Sequence, residues 1–342
     1  RRLTATNNSE DGVQWSPDGT RIAFSAKRGE EVSQIYVMDM TMPGEAQKIT
    51  SLATGAAAPK WSPDSKRIAF ESRVYPGTLT DEENAAEKKA REERDYNATA
   101  YDIFPIRQWN RWRDDLQTHV FVQDAVPGAI AKDLLAGTEF VARPGFAGVP
   151  SLASESLNPE WTPDGEALVI SATQNLEDSA HSKTMYHLYR LAATGGEPQA
   201  LTGGDEWSCQ SAQFAPQGDA LYCEYEPVTE FVYNLTEIAK FEWPKSGAAS
   251  DFEAEPTLLT DGFDRSVSDM TLSTDGKTIH FTAMDEGRVR LFSVPAGGKG
   301  KVSALNRDSG GVYAGPQPAG RSLVARWEDA TNPAELVRVD TR

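Results

Sequence analysis

One turn motif recurs along this chain, and it dictates a repeat architecture. Trp15-Ser16-Pro17-Asp18-Gly19 is followed by Arg21-Ile22-Ala23-Phe24. Trp61-Ser62-Pro63-Asp64-Ser65 is followed by Arg67-Ile68-Ala69-Phe70, and Trp161-Thr162-Pro163-Asp164-Gly165 by Ala167-Leu168-Val169-Ile170. Weaker copies are Phe214-Ala215-Pro216-Gln217-Gly218, Leu272-Ser273-Thr274-Asp275-Gly276 and Pro316-Gln317-Pro318-Ala319-Gly320. Proline presets a turn dihedral, aspartate caps the turn, and glycine accepts a positive φ. The large apolar residue before the turn anchors the end of one strand, and the β-branched stretch after it returns as a second. A third strand recurs at Gln34–Asp39, His119–Asp124, His187–Leu191 and Arg290–Val294, and a fourth at Gln47–Thr50, Gln199–Thr202 and Thr257–Thr260. Four short antiparallel strands repeated every 40–50 residues or so make a β-propeller blade.

The spacing predicts six blades. The motif starts at residues 15, 61, 161, 214, 272 and 316, so four of the five intervals hold one blade each. The interval from 61 to 161 contains no further turn motif, and its third strand is recognisable at His119–Asp124. It reads as one blade carrying an insertion, residues 73–117, within a single all-β propeller domain over 1–342. Arg1-Arg2-Leu3-Thr4 has the pattern of a blade-closing fourth strand, and Glu335–Asp340 that of a third strand. The first would pair beside Leu336–Val339 if the ring closes, or the chain is a fragment and both ends have lost their continuation.

Composition narrows the partners. The formal charge is −17, from 51 acidic and 34 basic residues. Such a surface repels nucleic acid and anionic membranes, so neither is expected as a partner. No run approaches the roughly 20 apolar residues of a spanning helix. A soluble protein of the cytoplasm or periplasm is expected, with self-association left open. Cys209 and Cys223 flank the turn at Pro216-Gln217-Gly218, on adjacent strands. They can form a disulfide or pack as two free thiols.

These residues resemble the propeller of prolyl oligopeptidase-family serine peptidases, in the acylaminoacyl-peptidase and bacterial dipeptidyl-peptidase-5-like branch. The resemblance runs from Arg2-Leu3-Thr4 through the repeats. It is most specific at Phe70-Glu71-Ser72-Arg73-Val74-Tyr75-Pro76-Gly77, Tyr101-Asp102, Arg107-Gln108-Trp109-Asn110-Arg111-Trp112 and His119-Val120-Phe121-Val122. The Trp-Ser-Pro-Asp-Gly repeats are also shared with TolB-like propellers. The resemblance implies an α/β-hydrolase domain as partner, a peptide substrate, and a Ser-Asp-His triad carried outside this sequence. No Gly-x-Ser-x-Gly nucleophile elbow is present; Asp308-Ser309-Gly310-Gly311 has Arg307 where the first glycine is required. No catalytic residue, cofactor or metal is therefore assigned. The other reading is a free-standing TolB-like propeller acting as a protein-binding scaffold.

The insertion holds the candidate site. Thr80–Arg94 is rich in helix formers, with Thr80 or Asp81 as the cap and Glu87/Arg91 along an exposed row. Arg107, Trp109, Arg111 and Trp112, with Arg113, make a cationic, aromatic element on an acidic protein. Arginine and tryptophan are enriched at interface hot spots, which suits a substrate- or partner-facing role; alternatively the tryptophans pin the insertion to its blade. Connections between second and third strands share a propeller face with the links between blades, 6–12, 54–59, 143–158, 203–207, 261–268 and 306–311. Glu10, Asp11, Asp261, Asp264 and Asp269 offer oxygens there, without the spacing of a calcium loop. His119, His181, His187 and His280 fit no metal-ligand spacing.

Overall fold

A computed structural model of the chain describes residues 9–29, 32–96, 98–101, 104–151, 154–231, 233–305 and 310–341. The expected pairing of Arg2–Thr4 and the Asp308-Ser309 look-alike lie outside or partly outside these residues. The fold is a six-bladed β-propeller. Its blades are divided between two compact units, Arg1–Ala200 and Leu201–Arg342.

The first blade pairs Glu10–Trp15, Arg21–Ala26, Gln34–Asp39 and Gln47–Lys48 in sequence order. The second pairs Ala57–Trp61, Arg67–Val74, Gln117–Asp124 and Lys132–Asp133. The fourth (Trp207–Phe214, Ala220–Pro227, Glu237–Glu242, Thr257–Leu258) and the fifth (Val267–Leu272, Thr278–Asp285, Arg288–Pro295, Ser303–Ala304) repeat the pattern. Second and third strands are buried on both faces, as in Arg67–Val74 and Gln117–Asp124. The core therefore lies between neighbouring blades: Ile35, Phe70, Ile68 and Phe121 pack in one cluster across the first two.

The turn motif folds as its chemistry dictates. The Ser16 hydroxyl donates to the Asp18 carboxylate at 2.6 Å and accepts the Arg21 N–H at 3.0 Å. Asp18 accepts the Thr20 N–H at 2.9 Å, and Gly19 turns at φ 71°. Ser62/Asp64, Thr162/Asp164 and Ser273/Asp275 repeat the inner bond at 2.6, 2.6 and 2.8 Å. Ser65 takes the glycine position at φ 60°, and its hydroxyl accepts the Asp18 N–H at 3.1 Å. Consecutive blades are latched through these turns. The Arg21 guanidinium lies 4.6 Å over the Trp61 ring, and Trp61 Nε1 donates to Gln14 O at 3.2 Å. Arg67 over Trp161 at 4.9 Å and Trp161 Nε1 to Lys60 O at 3.1 Å repeat this one blade on.

Each first strand also carries one residue in the left-handed region: Gly12 (φ 65°), Ala58 (53°), Asn158 (47°), Ser211 (57°), Asp269 (52°) and Gly315 (54°). Five of these sit at a register shift, a β-bulge. A Cβ on Gly12 would lie 3.3 Å from Pro59 Cδ, so that bulge admits only glycine comfortably.

The structure departs from expectation in two blades. In the third, the segment 143–158 is not simply a loop. Ala147–Pro150 and Glu155–Ser156 pair with each other, and Ala147–Pro150 extends the sheet of Glu160–Trp161, Ala167–Thr173, His187–Ala192 and Gln199–Ala200 to six strands. The first strand is split because Ala147–Pro150 pairs with the far end of Ala167–Thr173, so Glu155–Ser156 pairs with Ala147–Pro150 while Glu160–Trp161 keeps its place on Ala167–Thr173. In the sixth blade (Val312–Ala319, Ser322–Glu328, Glu335–Val339), Pro316–Ala319 is strand, not turn. Ala319 pairs with Ser322, leaving a two-residue turn at Gly320-Arg321. That turn holds neither the hydroxyl nor the aspartate of the longer motif.

Candidate functional site

The connection between Arg67–Val74 and Gln117–Asp124 builds the candidate site. Helix α1 spans Asp81–Glu92, and Thr80 is its cap, accepting the Glu83 N–H at 3.2 Å. Asp81 instead reaches away from the helix to accept the Ala53 N–H at 3.1 Å; burial pushes its carboxyl up. Asn84, 3% exposed, is the buried anchor of the helix. Its Oδ1 accepts the Tyr75 N–H at 2.9 Å, and its Nδ2 donates to Thr54 Oγ1 at 3.1 Å and Arg73 O at 3.3 Å.

After the helix the chain forms a small hairpin, Arg107–Gln108 against Arg111–Trp112. Its foot is tied down by polar contacts. Arg73 pairs with Asp114 at 2.5 Å, and Arg91 pairs with Asp115 at 2.6 Å while lying 4.5 Å over the Tyr75 ring. Burial pushes the Asp115 carboxyl up, but the bond from Arg91 and the positive charges of Arg91 and Arg94 together hold it below the usual range. Arg113 forms a largely buried ion pair with Glu155 of the third blade. Gln108 Nε2 donates to Ser151 O at 2.9 Å. Burial raises the nearby Tyr186 hydroxyl, with Glu155 adding to the shift. Beneath the hairpin lies a pocket of about 200 Å³ lined by Arg73, Gln108, Arg111, Trp112, Ser154 and Glu155.

The tryptophans do not pin the insertion. Trp109 is 83% exposed and Trp112 68% exposed, with Trp112 touching only the Tyr101 ring at 6.3 Å among the aromatic contacts of the described residues. Trp109 occupies the turn at φ 49°. The left-handed region costs a residue with a Cβ about 1–2 kcal/mol, and such strain collects at functional positions. Arg107 and Arg111 are exposed beside it, and Arg107 makes no ion pair among the described residues. The four candidate side chains thus share one small, polar-anchored hairpin that projects indole and guanidinium groups into solvent.

Other acidic candidates are scattered. Glu10 pairs with Arg28 at 3.0 Å, Asp264 with Arg265, and Asp269 accepts the Gly315 N–H at 3.0 Å. No group of three or more potential metal ligands occurs among the described residues. Cys209 and Cys223 are disulfide-bonded, with Cα atoms 5.8 Å apart across adjacent strands. Sequence reasoning missed Glu71 and Glu224, which occupy equivalent places opposite first-strand bulges. Burial raises both carboxyls, Glu224 to about 7, where Ser211 and Gln210 bonds lower it and Asp269 raises it further. Only strand register places them inside, so no local pattern announces them.

No protein-family model matches the chain, and no curated protein matches it. Solved structures do. It is similar to the Pyrococcus horikoshii acylaminoacyl peptidase, at 20% identity and a TM-score of 0.62 over 97% of this chain and 44% of that one. It is also similar to the β-propeller domain of the Trilobed protease from Pyrococcus furiosus, at 15% identity and a TM-score of 0.60 over 97% and 82%. A putative TolB from Agrobacterium tumefaciens gives 15% identity and a TM-score of 0.51 over 89% and 83%. The likeness shows the fold. The chain spans less than half the length of the acylaminoacyl peptidase.

Proposed function

We propose that this chain is the propeller domain of a serine peptidase of the acylaminoacyl or prolyl type. It gates and positions oligopeptides for an α/β-hydrolase domain. The observation that carries the reading is the exposed hairpin at Arg107–Trp112, seated in a propeller of the peptidase kind. Arg107 and Arg111 supply planar donors that grip a carboxylate bidentately. Trp109 and Trp112 supply rigid apolar area at small entropic cost. On a protein of charge −17, such a tip selects for carboxylates: a peptide's C-terminus, its acidic side chains, or an acidic patch on the hydrolase domain.

The test is peptide hydrolysis by the chain assembled with its hydrolase domain. Arg107→Ala should lower kcat/KM or weaken domain association by about 1–3 kcal/mol, the scale of an interfacial anchor, with the fold intact by circular dichroism. Unchanged hydrolysis and unchanged association in Arg107→Ala and Trp109→Ala together would remove the hairpin from the site.

A further inference from the structure

We propose a second binding site, distinct from the hairpin: the cleft between the fifth and sixth blades, which takes a small phosphate monoester carrying a flat ring. Strand register explains why the cleft exists. Arg21 and Arg67 each stand one residue before the partner of a first-strand terminus, Ile22 opposite Trp15 and Ile68 opposite Trp61. Thr278, one residue before Ile279 opposite Leu272, holds that place in the fifth blade. Pro318, opposite Leu323, holds in the sixth the place of Trp61 and Trp161. The arginine-on-tryptophan pair that fills the first two junctions is therefore replaced by two small side chains. What remains is a cleft of about 810 Å³ that both replacements line, a size typical of small-ligand sites.

The lining is rich in donors. His280, Ser293 and Ser303 pair directly across three strands of the fifth blade, so their side chains stand side by side on one face. Thr278 lies two residues from His280 on that face. None of these four side chains makes a hydrogen bond among the described residues. His280 is 6% exposed; its Nδ1 is sealed without a partner, and Nε2 is the nitrogen left open to the cleft. Burial holds the imidazole below its usual range, and an anion at Nε2 draws the neutral ring's proton to that nitrogen. Two exposed cations complete the lining, Lys301 beside Ser303 and Arg321 in the turn of the sixth blade, and neither makes an ion pair among the described residues. Asp275, the one carboxylate of the lining, is engaged in its own turn, accepting from Ser273 Oγ at 2.8 Å and from the Lys277 N–H at 3.1 Å. On a protein of charge −17, two unpaired cations over a row of idle donors make an anion site. A carboxylate brings two oxygens in one plane. A phosphate monoester brings three, with about two negative charges, and so meets donors from both blades. Its flat body then lies beside Pro295 and Pro318, in the place an indole takes at the earlier junctions.

The experiment titrates the full chain by calorimetry with phenyl phosphate, inorganic phosphate and benzoate, and follows the His280 ring nitrogens by NMR. Phenyl phosphate should bind about tenfold more tightly than inorganic phosphate, which lacks the ring, and than benzoate, which lacks the third oxygen; that is the scale of one hydrogen bond to a charged group. It should shift the Nε2 resonance. Arg321→Glu and Lys301→Glu should each weaken it by about tenfold, while Lys245→Glu, at an exposed lysine outside the cleft, should leave it unchanged. Binding of benzoate or inorganic phosphate as tight as that of phenyl phosphate would overturn the proposal. So would an equal loss in Lys245→Glu, which would mark general attraction of anions, or no binding of phenyl phosphate at all. The wild-type ligand comparison decides the matter even if a variant fails to fold.

Discussion

Replacing Asn84 by alanine tests whether polar anchoring holds the insertion on its blade. The side chain makes three hydrogen bonds: from Tyr75 N–H, and to Thr54 Oγ1 and Arg73 O. At about 1 kcal/mol net for each, their loss costs about 3 kcal/mol. Alanine returns about 0.5 kcal/mol of helix propensity, leaving about 2.5 kcal/mol. The other ties, Asp81 to Ala53 N, Lys88 Nζ to Ala53 O at 3.3 Å and Arg91 to Asp115 at 2.6 Å, are partly exposed and compensate little. The damage should be local, because helix α1 is otherwise solvated: Asn84 is its one buried residue. Hydrogen exchange at the amides of 85–91 should accelerate by about 60-fold, following the tenfold-per-1.4 kcal/mol relation. The strands Arg67–Val74 and Gln117–Asp124 should keep their protection. Exchange within about threefold of the wild type would refute the idea that buried hydrogen bonds secure the insertion.

Three further outcomes are expected. Glu224, raised to about 7 mainly by burial, binds a proton more tightly folded than unfolded. Stability should therefore fall as pH rises from about 4.5 to about 7 and level off above. Urea titrations of Glu224→Gln should lack that fall and exceed the wild type by about 3 kcal/mol at pH 8; parallel pH profiles would count against it. Reduction of Cys209–Cys223, which closes a separation of 14 residues, should lower stability by about 3 kcal/mol, and thiol labelling before reduction should give none. Trp109→Ala, at an 83% exposed site, should move stability by no more than about 0.5 kcal/mol; a clear drop in denaturation midpoint would make Trp109 a packing residue.

What the sequence disclosed is what local chemistry decides. Pro17-Asp18-Gly19 and Pro163-Asp164-Gly165 specify their turns outright, and Pro63-Asp64-Ser65, Pro216-Gln217-Gly218 and Thr274-Asp275-Gly276 keep two of the three residues, so five hairpins are readable residue by residue. The sixth is not, because Pro318 and Ala319 continue a strand into a two-residue turn at Gly320-Arg321. Tryptophan burial is equally unreadable. Trp61 and Trp161 are buried under an arginine from the preceding blade, whereas Trp109 and Trp112 have no such cover among the described residues. The same residue type reaches opposite environments because the neighbour, not the residue, supplies the cover. The hairpin's composition was visible as Arg107, Trp109, Arg111 and Trp112, but its projection depends on Arg73, Arg91, Asp114 and Asp115 meeting at its foot. His119 and Asp133 are joined by strand pairing alone.

The latches between turns are graded, and the grading sets how cooperative the repeat array is. The first two junctions each carry an arginine on a tryptophan, backed by an indole hydrogen bond. From the fourth to the fifth blade the links are hydrogen bonds without an arginine on a tryptophan among the described residues: Gln217 Nε2 to Asp275 O at 2.9 Å, Gln213 Nε2 to Met270 O at 2.7 Å and Tyr222 Oη to Ala296 O at 3.2 Å. From the fifth to the sixth the links are the Gly315 N–H to Asp269 Oδ2 at 3.0 Å and Thr274 Oγ1 to Gly320 O at 3.4 Å, beside a polar cleft of about 810 Å³ that no tryptophan lines among the described residues. In a linear array, stability is a sum of unit and nearest-neighbour terms, and opening starts where coupling is weakest. The first three blades should therefore melt as one block, while the sixth frays as a separate foldon with its own exchange rate.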